Sequence, residues 1–267
     1  VEVDGSAYWM SENGFFRYAG KLESLPCLVE DHVYDDINLE SGNQMVSAGL
    51  NNLFGEVIWF YPTSSSSVVN RMVAYNYFDS SPQRPVWTVG TLARTMWRDS
   101  AIFGKPHALE YDADTDTSFD VVGNTEGRTT YYEHETGTDQ VKGGTVTAIT
   151  ANILSGDFDI TQRIVGNQMT GIADFRGDGE HLMKIRRFIP DFISQTGDTR
   201  VTLNLRNFPS DTASSSSLGP FTITSSTSKV DTRARARALS LKIENTGASQ
   251  SWKLGTFRLD TQPDGRR

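Results

Sequence analysis

The feature that most restricts the fold of this chain is a period of two. Across residues 200–206, Val201, Leu203 and Leu205 point one way while Arg200, Thr202, Asn204 and Arg206 point the other, because successive strand side chains face opposite sides. Leu239, Leu241 and Ile243 alternate in the same way with Ser240, Lys242 and Glu244. Strands with one dry and one wet face fit a sheet packed on a single side. Short runs of this kind recur between clusters of Gly, Asn, Asp, Ser and Pro, and long helical-period stripes are nearly absent. The expected class is all-β with antiparallel strands.

The first half reads differently. Residues 56–61 and 71–77 are apolar or aromatic on both faces, which predicts strands buried between neighbouring sheets. A β-propeller buries its blades in this way. Trp9, Trp59, Trp87 and Trp97 are expected to fill the wedges between blades with their rings. One stretch conflicts: Val89, Leu92, Ala93, Met96 and Trp97 fall at helical spacing, while Gly90 and the aromatic strands on either side oppose a helix, so both readings of residues 88–100 stay open. A polar segment with three glycines, residues 135–144, divides the aromatic half from the alternating half. The division predicts propeller-like blades over residues 1–138 and an antiparallel β-sandwich over 139–267. The serine runs 64–67 and 214–217 read as loop tips.

Charge and cysteine usage narrow the function. The chain has 267 residues, a net charge of -8 and one cysteine, Cys27. An intrachain disulfide is therefore impossible, and assembly in a reducing compartment is expected. The acidic balance opposes a protein whose main task is gripping nucleic acid. No apolar run approaches the ~18 residues of a membrane-spanning helix. The start at Val1 lacks the features of a signal peptide and is expected to reflect a processed or partial product.

Candidate chemistry is sparse. Asp112, Asp114 and Asp116 alternate like the opening of a calcium loop, but Thr117 and Gly123 stand where such a loop needs Gly and a bidentate Glu, so a solvated acidic loop is the reading. None of the four histidines, His32, His107, His134 and His181, has a zinc-helix partner. His134, flanked by Glu133 and Glu135, is expected in a structural ion pair. Asp157, Asp159, Asp174 and Asp178 offer glycosidase-type carboxylates with no supporting motif, and no nucleophile elbow or phosphate loop is present. The sequence is read as a non-enzyme without catalytic residues, metal or cofactor. The most unusual feature is basic: Arg233, Arg235 and Arg237 would line one strand face at ~6.8 Å intervals over a low face of Ala234 and Ala236. The row suits carboxylates or phosphates. In so acidic a chain it is expected at a subunit interface against acidic protein, with Lys184, Arg186 and Arg187 adding to it.

Several stretches resemble one family, the tail nozzle or hub proteins of short-tailed bacteriophages, also described as packaged-DNA stabilisation proteins. The residues are Ala7 to Met10 with Gly14 to Phe16, Leu25 to Cys27, Asp35 to Asn38, Glu56 to Pro62, Tyr75 to Tyr77, and Trp87 to Thr95 with Trp97. Ser155 to Asp159, Arg186 with Arg187, Leu205 to Pro209, Trp252 to Gly255, Arg258 to Asp260 and Pro263 to Arg267 continue it. The resemblance implies a structural protein of the virion tail, assembled in the bacterial host's cytoplasm as a ring, a hexamer in the family, below the head-to-tail adaptor and beside other tail proteins. It also implies that the blades of residues 1–138 are the C-terminal portion of an incomplete propeller, and that genomic DNA passes through the channel without sequence-specific binding, along a lumen expected to be acidic or neutral. The rival from the residues themselves is an extracellular carbohydrate-binding or glycosidase-like propeller protein, in which Trp9, Trp59 and Trp97 would be sugar platforms.

Overall fold

A computed structural model of the chain describes residues 1–38, 40, 45–100, 104–112, 128–160, 163–166, 173–176, 179–208, 210–211, 216–245 and 247–265. The protein is all-β, built of antiparallel sheets, with a short helix described in its first half. No helix among the described residues is long and apolar enough to cross a membrane. The chain divides into two compact units, Val1–Thr136 and Gly137–Arg267, with the division inside the polar, glycine-containing segment.

The N-terminal unit contains two successive four-stranded meanders. The first runs β1 (Glu2–Val3), β2 (Ser6–Ser11), β3 (Gly14–Tyr18) and β4 (Leu22–Ser24), and is followed by α1 (Glu30–Tyr34). The second runs β5 (Ser47–Asn51), β6 (Glu56–Tyr61), β7 (Arg71–Asn76) and β8 (Trp87–Gly90). A three-stranded sheet of β9 (Met96–Arg98), β10 (His107–Asp112) and β11 (Arg128–Glu133) completes the unit.

The middle meander is buried on both faces, as its composition requires. Val57, Trp59, Tyr61 and Val73 form one core with Tyr8, Phe15 and Leu25 of the first meander, while Ile58, Phe60 and Ala74 face Leu92 and Trp97 on the other side. Phe15 lies 5.0 Å from Trp59 and 4.7 Å from Trp87 between ring centroids. Each large side chain so buried contributes roughly 1.5–3 kcal/mol. Tyr34 fastens α1 to the β2–β3 hairpin: its hydroxyl donates to the Ser11 carbonyl at 2.5 Å and accepts from the Gly14 amide at 3.1 Å.

The outer faces of this three-sheet stack are not stripped of apolar groups. Opposed pairs place Trp9 with Phe16 and Tyr18 with Leu22 on the outer face of the first meander, and Trp9, Tyr18 and Leu22 are exposed. On the third sheet Met96, Leu109 and Tyr131 share the outer face, with Met96 and Tyr131 exposed. Trp9 therefore departs from the expectation that all four tryptophans fill wedges between sheets. Its position on β2 alternates with Tyr8, and Tyr8 takes the core.

Residues 88–100 are two strand ends joined by an extended loop, not a helix. Long-range partners override the helical spacing. Val89 pairs with Val73, and the Trp97 indole donates to the Leu50 carbonyl at 2.9 Å. A Cβ on Gly49 would sit 2.5 Å from the Trp97 ring, so only glycine lets the ring lie there. Arg94, also in this loop, is 4% exposed. Its guanidinium pairs with Glu110 at 3.0 Å, donates to His134 Nε2 at 2.8 Å, and lies 4.0 Å from the centre of the Tyr132 ring.

His134 is thus an acceptor and not the ion-pair cation expected from its acidic neighbours. Burial, with the nearby charges of Arg94 and His107 adding, pushes its pKa down to about 4. Glu133 pairs instead with Lys105, and Glu135 accepts from Asn51. The unfolded chain protonates this ring near 6.5, so across about pH 4–6.5 it binds more protons than the folded one. The His134 contribution is complete above pH 6.5 and is lost as pH falls toward 4. Partial solvent screening leaves it at about 2 kcal/mol. His134→Gln keeps an acceptor for Arg94 without titrating, and its unfolding free energy should fall less than the wild type's between pH 7 and pH 4.5. Parallel pH curves for the two proteins would exclude this role.

The C-terminal unit opens with the hairpin β12 (Asp139–Lys142) and β13 (Thr145–Ala148), then β14 (Asn152–Leu154) and the hairpin β15 (Arg163–Gly166) and β16 (Ala173–Arg176). Seven strands follow: β17 (Met183–Ile189), β18 (Phe192–Thr196), β19 (Thr199–Arg206), β20 (Ser217–Ile223), β21 (Val230–Ala236), β22 (Ala238–Glu244) and β23 (Ser251–Leu254), and β24 (Arg258–Pro263) ends the unit. A four-stranded sheet ordered β14-β22-β19-β20 and a three-stranded sheet ordered β21-β17-β24 share one core. The alternating residues supply it: Val201, Leu203, Leu205, Leu239, Leu241 and Ile243 from the first sheet, and Met183, Ile185, Phe188, Ala234 and Ala236 from the second.

Candidate functional site

The outer face of the three-stranded sheet carries a basic groove. Its inner face is apolar, and alternation sends Lys184 and Arg186 of β17, and Arg233 and Arg235 of β21, outward. The register slips between Ile185 and Arg187 against both neighbours. A bulge of this kind bends the strand and re-aims side chains. Here it sets Arg186 opposite Thr232 and Arg233, and the Thr232 hydroxyl steadies it by donating to the Ile185 carbonyl at 2.8 Å. The result is a cleft of about 450 Å³ lined by Lys184, Arg186, Thr232, Arg233, Arg235 and Asp264.

Compensation within the groove is uneven. Arg235 pairs with the Asp264 carboxylate. Arg187 is drawn away between Asp231 and Asp260, at 3.7 and 3.4 Å, and Lys229 also holds Asp231. Lys184, Arg186 and Arg233 make no ion pair among the described residues. Four cations against one carboxylate in the described lining, in a chain of net charge -8, make a locally positive surface that attracts oxyanions.

The row expected from the sequence is therefore present only in part. Arg233 and Arg235 face outward over buried Ala234 and Ala236. Arg237 lies beyond the end of β21, and its guanidinium donates to the Gly179 and Glu180 carbonyls at 2.9 Å each, so it serves the unit's own structure. Arg186 is the residue that the alternation of β21 alone could not bring in.

A second cleft, of about 520 Å³, lies on the N-terminal unit, lined by Trp9, Met10, Ser11, Glu12, Asn13, Tyr34, Ile37 and Val46. The exposed Trp9 ring stacks on Phe16 at 5.8 Å. Of the three proposed sugar platforms, only Trp9 reaches such a cleft: Trp59 is 1% exposed and Trp97 is packed against Phe60. Glu12 is the one carboxylate in the described lining, where glycoside hydrolysis takes two.

Other candidates resolve individually. Asp157 pairs with Arg206 at 2.7 Å, and Asp159 accepts from the Gly179 amide. Asp114 and Asp116 of the acidic loop, and Asp178, lie outside the described residues, as does the Asp174 side chain. No cluster of three metal-type ligands occurs among the described residues. Burial pushes the Cys27 thiol up to about 11, which keeps it protonated at neutral pH. No protein-family model matches the chain, and no curated protein matches it.

Proposed function

We propose that this chain is a structural protein of a short-tailed bacteriophage tail, a nozzle or hub component assembled as a ring of copies. In this reading DNA leaves through the ring, the head-to-tail adaptor and other tail proteins are its neighbours, and it reaches the virion from the host cytoplasm. The observation that carries the proposal is the three-sheet stack, with its middle meander dry on both faces and aromatic side chains still exposed at both ends. Consecutive meanders stacked face to face are the geometry that propeller blades repeat. Contiguous exposed apolar surface marks association. The resemblance of the sequence stretches named above to the nozzle family is in keeping with this reading.

The recombinant chain should scatter light as an oligomer at micromolar concentration and show rings with a central opening by negative-stain electron microscopy. A monodisperse monomer would overturn the ring. The carbohydrate reading keeps one observation, the Trp9 cleft, and quenching of tryptophan fluorescence by an oligosaccharide panel, lost in Trp9→Ala, would favour it instead.

A further inference from the structure

We infer that the basic groove of one copy docks the acidic α1 segment of a second copy, an inference that rests on the proposed self-association. The two surfaces are complementary in number and sign. The groove leaves Lys184, Arg186 and Arg233 without carboxylate partners among the described residues, and α1 with its flank leaves Glu30, Asp31 and Asp35 without cationic ones. Asp31 and Asp35 are exposed, as are all three groove cations. Asp36, the next residue, has only a long contact of 3.8 Å with Arg71.

A protein carboxylate cluster fits the groove better than a nucleic-acid backbone does. The groove is short and edged by Asp264, with Asp231 and Asp260 beside it on the same sheet. Among the described residues no aromatic side chain lines it for base stacking. The rest of the chain, at net -8, repels a long polyanion but can present its own excess acid to a copy of itself. Because groove and helix are different patches, the contact is heterologous, the type that propagates head to tail and closes a ring when the rotation permits. Opposed charges of this kind chiefly set partner choice and register.

The test is a charge swap in the full chain, read by analytical ultracentrifugation. One variant reverses the groove (Lys184→Glu, Arg186→Glu, Arg233→Glu), a second reverses the helix (Glu30→Lys, Asp31→Lys, Asp35→Lys), and a third carries all six changes. Near-UV circular dichroism confirms that each is folded. Each single-patch variant should weaken association at least about tenfold, and the six-residue variant should recover most of the loss. Association of the wild type should also weaken as salt rises from about 50 to about 500 mM. If the wild type assembles and neither reversal matters, the groove contact is wrong while the ring stands. A wild type that stays monomeric overturns both. If the groove reversal instead abolishes salt-sensitive binding of a short DNA duplex and leaves assembly untouched, the occupant is a phosphate backbone and the inference fails.

Discussion

Arg94→Met should lower the stability of the N-terminal unit by about 3–5 kcal/mol, the typical cost of removing one partner of a buried pair. The loss has three parts. Glu110, whose side chain is 14% exposed, loses the guanidinium held 3.0 Å from its carboxylate. His134 loses the donor at 2.8 Å, and the Tyr132 ring loses the cation over its face. Arg94→Met with Glu110→Leu removes both charges of the pair and should recover at least half of the deficit, because a buried ion pair replaced by apolar groups is often close to neutral. Urea unfolding followed by tryptophan fluorescence reads mainly this unit, which holds four of the five tryptophans, Trp9, Trp59, Trp87 and Trp97, with Trp252 in the other unit. A single-variant loss under about 1 kcal/mol would show that the pair is solvated in practice.

Trp59→Ala should cost a comparable ~3–5 kcal/mol, since the indole is almost fully buried at the centre of the core between the first two meanders. Trp59→Phe should cost far less. The ring keeps most of its contact with Phe15 at 5.0 Å, and the indole N–H has no hydrogen-bond partner among the described residues, so its removal sacrifices no hydrogen bond there. The informative quantity is the order of the two variants. Equal losses would mean that the N–H is satisfied and that ring volume is not what the site selects. The core packing of the blade-like stack would then need another account.

Much of the fold was legible because it is local. The alternation at residues 200–206 and 238–244 named the residues that reached the core, and the double-faced apolar pattern at 56–61 correctly implied a strand dry on both sides. The reading of 88–100 stayed open in the sequence because its apolar residues, though at helical spacing, answer to partners elsewhere, Val89 to Val73 and Trp97 to Gly49 and Leu50. The candidate site was legible as a row of arginines with Lys184, Arg186 and Arg187 beside it, but not as a groove. The bulge that brings Arg186 against Arg233 follows from a register between β17, β21 and β24, and no single strand records that register.

The sequence by itself determined strand class, which side of each alternating strand is dry, and an acidic chain interrupted by a basic row. Tertiary structure decided which charges remain to be spoken for. Arg235 is answered by Asp264, 29 residues away, and Arg237 by carbonyls at Gly179 and Glu180, whereas Arg233 is left over. It likewise made His134 a neutral acceptor despite two adjacent glutamates. Side-chain facing is set by backbone geometry within a few residues. Charge compensation and desolvation depend on which distant groups the fold brings within a few ångströms, and composition does not carry that information.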